Sequence, residues 1–189
     1  AAAGVPTEVV DHTRFATREA FEAALTGAID RHAPGLVVLA GFMRVLGPEF
    51  VRHYRGRLIN IHPALLPAFP GLDTHRRAIE AGAAEHGASV HFVTEEVDAG
   101  PVIHQARVPV LPGDTPEALA ARVLEQEHRL YPEVIGWIAE GRVRLEGDRK
   151  SPGLRSTHLR KAYAVASMHN TTSPRLAASN TAFRKPRRM

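Results

Sequence analysis

Residues 36–40, LVVLA, are apolar at every position, and that run limits the fold more than any other stretch of the chain. A strand with one wet face alternates apolar and polar residues, whereas an uninterrupted apolar strand needs cover on both faces, as in a parallel sheet flanked by helices. The neighbouring segments supply such helices. Thr17 can N-cap a helix whose apolar positions Phe21, Leu25, Ala28 and Ile29 share one face and which stops near Pro34. Pro48 suits the first turn of a short helix closing near Gly56, and RLINI (57–61) reads as the next strand. TEVVD (7–11) reads as a short strand upstream.

Downstream the alternation continues. Thr74 is expected to cap a helix ending at Gly82, ASVHFV (88–93) to form a strand, and EEVDAGP to turn the chain into VIHQARVPV. Thr115 and Pro116 open a long helix carrying Leu119, Val123, Leu130, Val134, Ile135 and Trp137 to Gly141, with a bend at Pro132. The expected architecture is α/β, an open and mostly parallel sheet with helices on both faces, in which ligands bind beyond the carboxyl ends of the strands.

Charge divides the chain. Residues 1–148 carry 14 arginines and 20 acids, a net of −6, while residues 149–189 carry 10 basic residues and no acid. The overall charge of +4 therefore belongs to the tail, and the expected division is a folded domain over 1–147 and a basic, disordered tail over 148–189. That tail has few aromatics for stacking bases, so no nucleic-acid partner is expected. The absence of cysteine excludes disulfides, thiolate metal sites and cysteine nucleophiles, and fits a cytoplasmic protein. No apolar run approaches the roughly twenty residues that span a bilayer, so no membrane partner is expected.

The chemistry concentrates in LINIHPALLPAFPG (58–71). Side chains two apart on a strand share a face, so Asn60 and His62 can converge where the strand meets its loop. A carboxamide can donate to developing negative charge and an imidazole can deliver a proton near neutral pH, a pairing suited to a tetrahedral intermediate. The prolines would hold that pair in place at little entropic cost. Asp98, in a glycine-containing turn after the next strand, can come beside His62, where a carboxylate would favour imidazolium and fix its orientation; the plainer alternative is an Asx-turn residue bonding only its own loop. His86, His91 and His104 are scattered and no HExxH occurs, so no metal is expected. GxSxG, P-loop and GxGxxG motifs are absent, and Ser89 is the only serine before the tail.

Three stretches, LVVLAGFMRVLGPEFVRHYRGRLINIHPALLPAFPGLDTHRRAIEAG, HGASVHFVTEEVDAGPVIHQARVPV and EQEHRLYP, closely resemble the phosphoribosylglycinamide formyltransferases, and the resemblance runs from Ala1 to about Gly147. It implies a formyltransferase-type, Rossmann-like sheet and transfer of the formyl group of 10-formyltetrahydrofolate to the amine of glycinamide ribonucleotide, in purine synthesis. Asn60 would then bond the formyl oxygen, His62 would act as general acid, and Asp98 would support His62 and order water. The folate would lie near Arg18 and against Met43, Arg44, Val45, Leu46, Asn60 and the loop Thr94, Glu95, Glu96, Val97 and Asp98. Pro63, Gly71 and Glu127 would contact the ribonucleotide. No metal is implied, and the oligomeric state is left open. Methionyl-tRNA formyltransferases and formyltetrahydrofolate hydrolases share the Asn-x-His and the later Asp, and a non-catalytic folate-binding remnant is the other alternative. Family members precede the point matching Ala1 with a strand and a glycine-rich phosphate-holding turn. The expectation is therefore an N-terminally incomplete sheet with an unpaired edge, folding poorly or binding glycinamide ribonucleotide weakly.

Overall fold

A computed structural model describes residues 5–145 and the backbone of 163–166. After a short 3-10 helix, His12–Arg14, the elements run α1 (Arg18–Asp30), β1 (Leu36–Leu39), α2 (Pro48–His53), β2 (Leu58–His62), α3 (Thr74–Glu80), β3 (Glu85–Phe92), β4 (Val102–Pro109), α4 (Pro116–Ala139) and β5 (Tyr163–Ala166). The strands form one sheet in the order β4-β3-β2-β1-β5. β1 pairs in parallel with β2 and β5, whereas β2–β3 and β3–β4 are antiparallel. The open α/β sheet is thus mixed, its antiparallel half being the hairpin that EEVDAGP closes.

The apolar run explains itself in this arrangement, since all four residues of β1 are buried. Leu36 and Val38 join Ile59, Val90, Phe92 and Val108 against Leu119, Val123, Leu130 and Val134 of α4. Val37 and Leu39 face the other way and pack with Leu58 against Ile29 of α1 and Phe50 and Val51 of α2. Helices therefore cover both faces, and period-2 alternation distributes the side chains of one strand between two cores.

Local signals set several boundaries. The Thr17 and Thr115 hydroxyls accept from Ala20 and Ala118, capping α1 and α4. Pro48 and Pro116 occupy first-turn positions, where no intrahelical N–H is needed. Two expectations fail. TEVVD forms no strand; Val9 is 89% exposed there, and Asp11 instead caps the following 3-10 helix by accepting from the Thr13 N–H. A strand needs a hydrogen-bonded neighbour, and none lies beside this segment among the described residues. Thr74 is not a cap either: Asp73, in left-handed geometry, is the N-cap, and the buried Thr74 hydroxyl donates to the Pro63 carbonyl.

Of the tail, only Tyr163–Ala166 lies among the described residues. It is a strand rather than irregular chain, in register with β1 from Leu36↔Tyr163 to Leu39↔Ala166. The edge of β1 expected to lack a partner is paired there. The remaining tail expectations fall outside the described residues.

One side chain ties the parallel neighbours β1 and β2 together, at the end of β1 and the start of β2. The buried Tyr131 hydroxyl of α4 lies 2.7 Å from the Leu39 carbonyl and 3.2 Å from that of Ile59. Burial pushes this phenol well above its ordinary pKa, so it stays a donor. Tyr131→Phe keeps the ring and removes the bond. Urea unfolding should show a loss of about 1–3 kcal/mol, the cost of stranding a buried polar group; an unchanged midpoint would show that the hydroxyl contributes nothing.

Candidate functional site

The face of the sheet that packs on α1 and α2 changes character along β2. Leu58 is part of the apolar core, but the next residues on that face are Asn60 and His62, directly opposite His91 and Ser89 of β3 in the antiparallel register. Four polar side chains thus stand together on a surface that is oily one residue pair earlier. They can do so because α1 and α2 no longer cover them and the 63–73 loop does.

That loop is held by polar groups as well as by its prolines. The Ser89 hydroxyl, fully buried, donates to the Ala64 carbonyl at 2.6 Å and accepts from the Leu66 N–H at 3.0 Å and the Gln105 amide at 2.8 Å. Gln105 also donates to the Leu66 carbonyl, and Arg77 to the carbonyls of Pro70 and Leu72. Each bond satisfies a backbone group that a buried loop would otherwise strand. Gly71 adopts a positive φ of 78°, as its turn requires.

Asp98 joins the parts. Its Oδ2 accepts the Gly71 N–H at 2.9 Å and lies 3.4 Å from His62 Nδ1, while its Oδ1 lies 3.7 Å from His91 Nε2. The residue sits in left-handed geometry with φ 54°, which Asp tolerates better than most side chains. Gly100, two residues on, is obligatory, since a Cβ there would lie 1.7 Å from the Phe92 carbonyl oxygen. The bonding is not that of a local Asx turn: the carboxylate reaches across to the loop that follows β2.

His62 is 5% exposed, and both its ring nitrogens face oxygen: Nδ1 toward Asp98, Nε2 toward the Phe69 carbonyl at 2.9 Å. An imidazolium can donate from both nitrogens and a neutral ring from only one. His91 differs. Burial pushes its pKa down, against the opposing pull of the Phe92 carbonyl and Asp98. With Nδ1–H donated to that carbonyl at 3.0 Å, its Nε2 is left as an acceptor for the Asn60 amide at 3.4 Å. His91 therefore directs the NH2 end of the Asn60 carboxamide and leaves that group a second N–H. The sequence reading set His91 aside as scattered; the available signal was its period-2 partnership with Ser89 in ASVHFV.

The remaining candidates lie around this cluster. Met43 and Val45 are 72% and 58% exposed on the segment after β1, and Leu46 is buried. Thr94 to Val97 form the turn after β3, where the Thr94 hydroxyl donates to the Glu96 carbonyl and Glu95 pairs with Arg52 of α2 at 2.9 Å. Arg44 lies over the Phe21 ring at 5.6 Å. Arg18 pairs with Glu19 and Glu22, and Glu127 lies one turn before Tyr131 with its pKa raised by burial. No direct bond links Arg18 or Glu127 to Asn60, His62 or Asp98 among the described residues. Pro63 contributes its carbonyl to Thr74.

Behind His62 stand two further imidazoles. His86 is fully buried, its ring 5.1 Å from that of His75 and 5.9 Å from that of Phe69. Neither His86 nitrogen, nor His75 Nδ1, has a hydrogen-bond partner among the described residues. Burial, helped by the neighbouring His75, pushes His86 down to about 4 from 6.5; the Pro63 carbonyl opposes this only weakly, being out of good bonding geometry. Burial lowers His75 as well. These folded-state values lie below those of an unfolded chain, so the unfolded chain takes up protons first as pH falls. Stability is complete above about pH 6.5 and is lost toward pH 4, by on the order of 3 kcal/mol for His86. Urea titrations between pH 7 and 4.5 should show this slope, and His86→Leu should flatten it; an equal slope in the variant would remove His86 as its cause.

The formyl transferase family matches residues 1–135 of the chain. The phosphoribosylglycinamide formyltransferase of Escherichia coli K12 is 54% identical over 157 residues, which cover 79% of this chain and 74% of that enzyme. The human trifunctional purine biosynthetic protein adenosine-3 is 43% identical over 143 residues, covering 76% of this chain but 14% of that protein. Among solved structures, the phosphoribosylglycinamide formyltransferase of Coxiella burnetii superposes with a TM-score of 0.73 at 53% identity, over 77% of this chain and 69% of the other. With its sheet, its polar cluster and these likenesses in agreement, the chain belongs to the formyl transferase family, among the phosphoribosylglycinamide formyltransferases.

Proposed function

We propose that the chain transfers the formyl group of 10-formyltetrahydrofolate to the amine of glycinamide ribonucleotide. The observation that carries this reading is the meeting of Asn60, His62 and Asp98, with His91, at the carboxyl end of β2 in a chain of this family. The amine nitrogen attacks the formyl carbon and the C=O electrons move onto oxygen. When the carbonyl re-forms, the bond to the folate nitrogen breaks and that nitrogen takes a proton. The free N–H of Asn60 bonds the oxygen as it becomes negative, a contact stronger in the transition state than in the substrate. His62 gives a proton as general acid and Asp98 orients it. The amine's own proton leaves through water ordered at Asp98.

Exposed apolar Met43 and Val45, with the backbone of Thr94 to Val97, offer the folate ring a surface at the strand ends. Leu46 supports that segment from the core, and Arg44 and Arg18 supply cations for the acidic end of the folate. Pro63, Gly71 and Glu127 would meet the ribonucleotide. No described helix is long and apolar enough to cross a membrane. We place the reaction in the cytoplasm, with the two small-molecule substrates as partners.

The test is turnover with both substrates. His62→Ala should lower kcat by about 10^2–10^4-fold while folate binding stays within about threefold. Turnover of the variant near that of the parent would overturn the role of His62. Folate binding by the parent with no turnover would replace the reading with a non-catalytic binding protein.

A further inference from the structure

Glu22 is a carboxylate on α1, only 7% exposed, in a helix whose other buried residues are apolar. Such a group costs folding free energy unless something within reach uses it. Its Oε1 accepts the N–H of Gly47 at 2.7 Å and lies 3.7 Å from Arg18 Nε. Its Oε2 fills the space at Gly47 so closely that a Cβ there would sit 2.6 Å away. Gly47 has an ordinary negative φ of −70°, so the turn does not demand glycine; a methyl there would require the Glu22 carboxylate to move.

Gly47 directly follows the segment Met43 to Leu46. The residue of α1 preceding Glu22 holds the other part of that segment, where the Arg44 guanidinium lies over the ring of Phe21. Leu46 is anchored in the core, yet Met43 and Val45 stay exposed. The backbone is thus gripped from behind at 44, 46 and 47 while two apolar side chains point away from the grip.

We infer that Glu22 is a positioning residue for the folate: it fixes the height of the 43–46 platform and, through Arg18, the placing of a cation beside it. The inference rests on the folate site proposed above. Glu22 touches neither reactant. It sets where the platform stands, and an error of about 1 Å in placing a binding surface is enough to weaken a substrate markedly.

Steady-state kinetics and calorimetric binding of 10-formyltetrahydrofolate separate the possibilities. Glu22→Ala should raise KM and Kd for the folate by about tenfold or more, leaving KM for glycinamide ribonucleotide and kcat within about twofold. Glu22→Gln, which retains an oxygen to accept the Gly47 N–H, should recover most of the loss. Gly47→Ala, which drives the carboxylate away with an added methyl, should reproduce the folate defect and serves as the deciding variant if Glu22→Ala does not fold. An unchanged folate Kd in Glu22→Ala or Gly47→Ala, or an equal rise for both substrates, overturns the positioning role. Failure of the unaltered protein to bind the folate overturns the site itself.

Discussion

The carboxylate of Asp98 is the point on which the rest of the arrangement depends. It is nearly buried, and a buried negative charge persists only where donors surround it. Those donors are the Gly71 N–H in the loop after β2 and the ring of His62 at the end of β2, while the neutral His91 ring of β3 lies 3.7 Å from the other oxygen. Bonding this carboxylate to the loop and placing it beside His62 fixes the loop against the hairpin that carries Asp98 and His91. Stability and site geometry are therefore one problem here, since any rearrangement that satisfied Asp98 elsewhere would also take the carboxylate away from His62.

The sheet makes this possible by changing what covers it. Along β1 and the start of β2, helices press apolar side chains on both faces, and the strands are apolar throughout. Past Leu58 one face loses its helices, and a proline-rich loop takes their place. A loop brings unpaired backbone groups with it, and these require polar side chains beneath. Ser89 and Gln105 meet that requirement with bonds to Ala64 and Leu66. The rigidity expected of the prolines is thus shared with a buried hydroxyl that no motif advertised.

Much of the architecture was legible because it rests on local physics. Thr17, Thr115, Pro48 and Pro116 act within one turn of themselves, and the apolar run of β1 admits few environments. Where partners lay far away the letters misled. TEVVD has strand-forming residues but no strand beside it, and Thr74 looks like a cap until its hydroxyl is seen to reach Pro63. His91 was passed over for the same reason: in the sequence it is one histidine among eleven, and only the register that sets it opposite Asn60 gives it work to do.

By itself the sequence determined the order of strands and helices from Thr17 to Gly141, the faces that must be oily, and a carboxamide and an imidazole two residues apart at a strand end. Those follow from short-range rules of propensity, capping and period. The tertiary structure alone decided that Asp98 would reach across to Gly71 rather than bond its own turn, that His91 would orient Asn60, that Glu22 would grip Gly47, and that Tyr163–Ala166 would lie along β1. Each is a meeting of groups distant in the chain. Hydrogen bonds act over about 3 Å, and only the packing of the whole sheet brings such groups within that distance.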